Sequence, residues 1–388
     1  MTALVAILLA PFAILTAFFF LEVVSGLPRA SRRTEVGAQA SAVVVIPAHD
    51  EGAVIVRTLE ALKASLRQGI HVLVVADNCI DDTAALARDC GVEVLERSNL
   101  QQRGKGFALA VAADHLRSDA PDVFAVLDAD CATDADSLDR LVEAAATSGR
   151  PCQSINLLRS DRAAAPLVQL STFGFMLKNL VRQRGLQRLA GRVHLTGTGM
   201  AMPFRMFEAS GKVRSSVVED LALGLELAAA GHPPALITDS FVWSGGSTEQ
   251  GTLTQRRRWE GGYLATAMRH GPREALRGIL RASPREFLAG LDLMVPPLAM
   301  FAALNVAILA VAALITWLAG AAWWPVLLQL ALLALAGGAI FAAWLREGRE
   351  FISLGVLLRL PLYVLWKLPM YFGLARSGTP KEWLRTGR

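Results

Sequence analysis

From Leu293 to Leu345 the chain runs for 53 residues without one charged side chain. A helix rises about 1.5 Å per residue and a bilayer core is about 30 Å thick, so this run can cross a membrane twice. Residues 3 to 21 form a further uncharged stretch, broken only by Pro11. Apolar residues make up 53% of the sequence, yet 19% are charged. The two figures agree only if apolar and charged segments are segregated along the chain. The mixed region from about Ser41 to about Phe287 has the length of one ordinary catalytic domain. The expected organisation is an N-terminal transmembrane anchor (1–26), a soluble domain (41–287), two transmembrane helices (291–345) and a last segment (351–388) ending in a basic tail. In 351–374 Arg359, Pro361, Lys367 and Pro369 interrupt an apolar run, so an interfacial or re-entrant course is expected, with a fourth span as the alternative.

The first apolar stretch lacks a basic start, and Arg29, Arg32 and Arg33 follow it, the reverse of a signal peptide; a retained anchor is expected. Arg346 and Arg349 follow the last long run, while the connector Gly320 to Trp324 carries no charge and two tryptophans. The positive-inside rule puts the basic flanks, the soluble domain and the tail with Lys381, Arg385 and Arg388 in the cytosol, and the connector on the far side. The net charge of +5 does not call for nucleic acid, because the basic residues cluster beside the apolar runs. Cys79, Cys90, Cys131 and Cys152 have no CxxC spacing, so neither a zinc site nor a redox pair is expected.

The soluble region alternates strand and helix. Ala42 to Ile46, His71 to Ala76, Val92 to Leu95 and Val123 to Leu127 read as buried strands. Helices are expected after Val54, from Asp81-Asp82-Thr83 to near Gly91, and from Gly106 to Leu116. This order predicts an α/β fold, a mostly parallel sheet with helices on both faces. Ligands then sit beyond the carboxyl ends of the strands, where His49-Asp50-Glu51, Asp77 and Asp128-Ala129-Asp130 lie. No GxGxxG follows any strand, which disfavours a dinucleotide fold.

Each candidate motif has two readings. Asp128 and Asp130 suit Mg²⁺ or Mn²⁺ shared with phosphates, or they cap the helix starting near Asp134. Glu219-Asp220 is a general base at a helix start, or acids complementing the macrodipole. Gln255 to Trp259 (QRRRW) offers arginine forks for phosphate and an indole for a sugar ring, or a solvated basic patch. Arg103-Gly104-Lys105-Gly106 is a pyrophosphate contact or an exposed turn.

Taken in order, IPAHDE, VVADNCIDDT, RGKG, DAD, VED and QRRRW on this strand–helix ladder resemble the inverting, membrane-bound glycosyltransferases of family 2, which include cellulose, chitin and hyaluronan synthases and ceramide glucosyltransferase. The resemblance covers roughly residues 41 to 262 and implies a GT-A-type fold. It implies that Glu51 and Asp77 hold the uridine, Lys105 reaches the nucleotide or its diphosphate, and Asp128 contacts nucleotide or metal. It further implies Asp130 as the metal ligand and Asp220 as the base with Glu219 beside it. Gln255 and Arg258 would bind the leaving diphosphate, Trp259 would sit beneath the acceptor, and Gly199, within Gly197-Thr198-Gly199-Met200, would belong to an acceptor-facing turn. Val218 stands where the family often has threonine, and Asn78-Cys79 replaces a common Gly-Ser. The implied function is transfer of a sugar from a nucleotide-sugar, expected to be UDP-linked, to a lipid-linked or glycan acceptor at a bacterial inner membrane, as in exopolysaccharide or glycolipid assembly. A processive synthase that translocates its polymer and a non-catalytic membrane scaffold are the alternatives.

Overall fold

The computed structural model describes residues 1–29, 40–64, 66–210, 219–245 and 249–378. Arg32, Arg33, Val218, Lys381, Arg385 and Arg388 lie outside the described residues, as does the side chain of Glu219. Eight strands form one sheet: β1 (Ala42–Ala48), β2 (Ile70–Asp77), β3 (Glu93–Arg97), β4 (Val123–Val126), β5 (Cys131–Thr133), β6 (Cys152–Leu158), β7 (Met200–Pro203) and β8 (Ala235–Ser244), in the order β3-β2-β1-β4-β7-β6-β8-β5.

The first half is as the alternation predicts, since β3, β2, β1 and β4 are all parallel. Helices Ile55–Lys63, Thr83–Asp89 and Lys105–His115 connect or flank them. Residues Ala42, Val44, Ile46 and Ala48 of β1 enter one core with Ile55, Leu59 and Leu141. Val43 and Val45 enter a second core on the other face with Leu109, Leu116 and Leu223. Both faces of the strand are covered, which is why its sequence reads as a continuous apolar run. The second half is mixed: β7 pairs antiparallel with both β4 and β6, β8 pairs parallel with β6, and β5 closes the edge antiparallel to β8.

Among the described residues three helices are long and apolar enough to cross a membrane: Thr2–Gly26, Leu298–Leu318 and Trp324–Gly348. They are joined to the α/β domain by a third core, in which Phe18, Phe19 and Val23 meet Phe173, Met176, Leu177 and Val181 of the domain and Phe301, Ala339 and Trp344 of the C-terminal spans. Residues beyond Glu350 form helices Leu354–Leu357 and Leu360–Ser377.

Candidate active site

The carboxyl ends of β1 and β2 turn sharply. Asp50 (φ 53°) and Asn78 (φ 55°) adopt the left-handed conformation that short polar side chains tolerate best. The two turns are tied together, since His49 Nδ1 lies 2.7 Å from the Asp77 carbonyl oxygen. Asp77 Oδ1 accepts hydrogen bonds from Arg97 Nη1 (2.5 Å) and Asn78 Nδ2 (2.8 Å), so this carboxylate is fixed at the strand end.

Lys105 begins helix Lys105–His115, and its ammonium bridges the Asp128 carboxylate and the Gly197 carbonyl, the latter at 2.8 Å. The Asp128 N–H donates to Thr198 Oγ1 at 3.1 Å. One ligand atom each from Asp128, Asp130 and Cys131 falls within a 4.8 Å cluster. Burial, then the charges of Asp130 and Asp128, push the Cys131 thiol well above its usual range. The two carboxylates of this cluster are hard oxygen donors, the kind Mg²⁺ and Mn²⁺ take. The helix-cap reading belongs to a different residue: Asp134 caps Ala135–Ser148 by accepting from the Ser137 N–H at 2.7 Å.

Asp220 stands in the first turn of helix Glu219–Ala229, and its Oδ1 accepts the Leu221 N–H at 2.8 Å. Gly197 (φ 83°) lets the backbone come close. A Cβ there would lie 3.2 Å from Asp220 Oδ2 and 3.4 Å from Lys105 Nζ. Burial raises the Asp220 carboxyl pKa; the Leu221 N–H, Lys105 and Lys178 oppose the rise, and Asp128 adds to it. A base with a raised pKa holds a proton more firmly once it has taken one.

Helix Glu249–Leu280 carries the QRRRW residues. Arg256 is buried; its Nε donates to Ser171 Oγ (2.9 Å) and its Nη2 to the Ser171 carbonyl (3.0 Å). Its guanidinium lies 5.1 Å from the Phe175 ring and 5.4 Å from that of Trp259, which also tilts against Phe175 at 5.7 Å. Glu260 pairs with Lys367 and accepts from Tyr371 Oη at 2.8 Å, joining this helix to Leu360–Ser377.

One cavity of about 470 Å³ is lined by Glu51, Asp77, Lys105, Asp128, Asp130, Asp220, Gln255, Arg258 and Trp259. Nine of the residues singled out from sequence thus converge on one space. Gly199 does not line it, whereas its neighbours Gly197 and Thr198 do. Gly199 (φ 61°) instead ties the sheet together: its N–H donates to the Val126 carbonyl (2.9 Å), its carbonyl accepts from Ser154 N (2.7 Å), and a Cβ would lie 2.6 Å from Val242 Cγ2.

Sequence reasoning missed the far wall of the cavity, formed in part by Lys178, Arg182, His194, Tyr263, Tyr363 and Lys367. Arg182 bridges Glu22 (2.6 Å) and Asp292 (2.7 Å), and Asp292 also pairs with His194. The histidine and arginine beside it hold the Asp292 carboxyl well below the usual range despite its burial. The available signal was charge inside apolar sequence, as at Glu22 and Lys367.

A parallel α/β half sheet with carboxylates at its strand ends, extended by mixed strands and sharing a core with apolar helices, defines the fold class: a mixed α/β domain joined to helices that can cross a membrane. Residues 40–262 match the family described as "Glycosyltransferase like family 2", more than half of the chain, and the chain belongs to that family; it is a glycosyltransferase. Among curated proteins none matches. Of solved structures, the chain is similar to the mannosyltransferase PcManGT of Pyrobaculum calidifontis, solved with GDP-Man and Mn²⁺, at 17% identity over 97% of this chain and 98% of that one, with a TM-score of 0.58. It also matches the glucosyl-3-phosphoglycerate synthase of Mycobacterium tuberculosis, solved with Mn²⁺, UDP and phosphoglyceric acid, at 17% identity over 57% of this chain and 77% of that one, with a TM-score of 0.36. At 17% identity the likeness to the mannosyltransferase is one of fold.

Proposed function

We propose that the chain is a metal-dependent, inverting hexosyltransferase of the membrane-bound QxxRW type, with its 41–287 domain in the cytosol, moving a sugar from a UDP-sugar to a lipid-linked acceptor in exopolysaccharide or glycolipid assembly. The observation that carries this reading is the shared cavity. Asp128, Asp130, Asp220 and Arg258 line the same space as Phe19, Pro297 and Leu298 from the apolar helices. A polar donor and an apolar acceptor can therefore meet in it.

Glu51 and Asp77, on the first two strand ends, would bind the uridine. Asp128 and Asp130 would hold Mg²⁺ or Mn²⁺, which when bound supplies charge neutralisation to the diphosphate. Arg258 with Gln255 would bind the same diphosphate, the arginine by its planar fork. Asp220 accepts the proton of the acceptor hydroxyl as that oxygen bonds to the anomeric carbon. The C–O bond to the diphosphate breaks with its electron pair, and UDP departs. Attack opposite the leaving group inverts the anomeric centre, and no bond to the protein forms. Trp259, fixed by Phe175 and Arg256, would be the acceptor's platform, and Glu219 flanks the base in sequence.

Nucleotide release from a panel of UDP-sugars and GDP-mannose tests the reading. Turnover with one UDP-sugar is expected, silenced by EDTA, restored by Mn²⁺, and abolished by Asp130→Ala with folding intact. Full turnover in EDTA would refute the metal role, and turnover with GDP-mannose alone would refute the UDP assignment.

A further inference from the structure

The cavity is lined by two cations to which the proposed reaction assigns no ligand, Lys178 and Arg256. Lys178, in the segment Leu177–Arg182, lines the cavity with its side chain exposed to it. Its ammonium lies 4.6 Å from the Tyr263 ring centre. Arg256 lines the same wall, held by Ser171 and by the rings of Phe175 and Trp259. Among the described residues neither cation forms an ion pair with a carboxylate, whereas Arg182 and Lys367 beside them do. The protein around Lys178, and then the like charges of Arg182 and Arg256, lower its pKa, with Asp220 and Asp292 offsetting part of this. Two neighbouring cations that line one cavity without a carboxylate partner form a site that an anion completes.

The rest of the wall says what carries that anion. Phe19, Pro296, Leu298 and Leu360 line the same cavity. Phe19 and Leu298 belong to helices apolar enough to cross a membrane, and the helix bearing Leu360 turns Leu362 and Leu365, each 59% exposed, outward. The nucleotide-facing carboxylates instead sit at the ends of β1, β2 and β4. An anion at Lys178 and Arg256 would thus share the cavity with Asp220 and with these apolar side chains.

Resting on the transferase reading above, we propose that Lys178 and Arg256 form an acceptor subsite for the phosphate of a phosphate-bearing lipid, whose hydrocarbon chain lies against Phe19, Pro296, Leu298 and Leu360. The lysine supplies a mobile point charge. The arginine, already fixed by Ser171, supplies a preorganised one.

Equilibrium binding of radiolabelled dodecyl phosphate to the purified full chain in a nonionic detergent tests this, with dodecanol and inorganic phosphate as competitors and UDP titrated in parallel. The wild type should bind dodecyl phosphate about tenfold or more tighter than dodecanol, and inorganic phosphate should compete only weakly. Lys178→Gln should erase the preference for the phosphate, Lys178→Arg should keep most of it, and UDP affinity should be unchanged in both. Unaltered dodecyl phosphate binding by Lys178→Gln would overturn the proposal. Equal competition by inorganic phosphate would reduce the site to a phosphate pocket and overturn the lipid assignment. Loss of UDP binding in Lys178→Gln would give these cations to the donor instead. If UDP fails to bind the wild type at all, the transferase reading fails and not this subsite alone.

Discussion

Asp220 and Arg258 line one cavity, and the proposed reaction gives them different work that can be measured. In the proposed reaction Asp220 is the base, which acts on the acceptor and leaves the nucleotide alone. Asp220→Asn should keep UDP affinity near wild type while turnover falls by roughly two to four orders of magnitude. Because burial raises its carboxyl pKa, the unprotonated base accumulates only as pH rises above the ordinary carboxylate range of about 3.9. The acid limb of the wild-type rate profile should lie above that range and should vanish in Asp220→Asn. Arg258→Ala should weaken UDP binding and turnover together, with lysine rescuing in part. Calorimetric UDP titration beside initial rates separates the two roles, and normal binding with normal turnover in Arg258→Ala would remove the arginine from the site. Much of the site was legible at this scale because its acids follow apolar strands and its arginines follow a recognisable spacing. Arg256 was not, because nothing in three successive arginines says which one turns inward to Ser171 and Phe175.

At the scale of elements, the parallel half of the sheet could be read directly, since strands buried on both faces leave continuous apolar runs. The mixed half could not. β6 is fully buried, yet it carries Gln153, Ser154 and Asn156. Gln153 Nε2 donates to the Thr198 and Gly199 carbonyls (2.9 and 3.0 Å), and its Oε1 accepts the Thr196 N–H (2.9 Å). Burial satisfied by such bonds leaves no hydropathy signal. The docking of the first apolar helix was equally hidden, because it depends on glycines. A Cβ at Gly185 would lie 2.0 Å from the Glu22 carbonyl oxygen, and one at Gly26 would lie 1.8 Å from that of Val181. Gly185→Val should therefore lower stability by at least about 1–3 kcal/mol, read as a lower melting temperature in detergent. Gly337→Ala, where nothing lies within 4 Å of the added carbon, should be neutral. Equal melting temperatures for the two variants would contradict the close helix contact.

The whole molecule has two distinct ends. At one, Arg29 and Arg184 meet Glu347 (3.1 and 2.9 Å), and Arg162 Nη2 donates to the Arg349 carbonyl (2.7 Å), so the Arg346–Glu350 segment rests on the α/β domain. At the other, the Ala322 N–H donates to Thr2 Oγ1 at 3.0 Å. Between them Thr16, Asn305 and Gln329, all buried, join the three apolar helices through hydrogen bonds of 2.7 to 3.2 Å. The positive-inside rule leads to the proposal that the first of these ends is cytosolic and the second lies on the far side. In a cysteine-free background, Glu350→Cys should be shielded from an impermeant thiol reagent added outside, and Ala322→Cys should react; the reverse pattern would invert the topology.

The central proposal is that this family 2 glycosyltransferase transfers sugar at a membrane with the carboxylates at the end of β4, and one measurement meets it most directly. Membranes containing the full chain are incubated with each radiolabelled nucleotide-sugar and Mn²⁺, and label in the extracted lipid fraction is counted for wild type and Asp130→Ala. The account predicts that a UDP-sugar labels the lipid fraction in wild-type membranes and that Asp130→Ala reduces this to background. Equal labelling by the two proteins, or no labelling from any nucleotide-sugar, would contradict it.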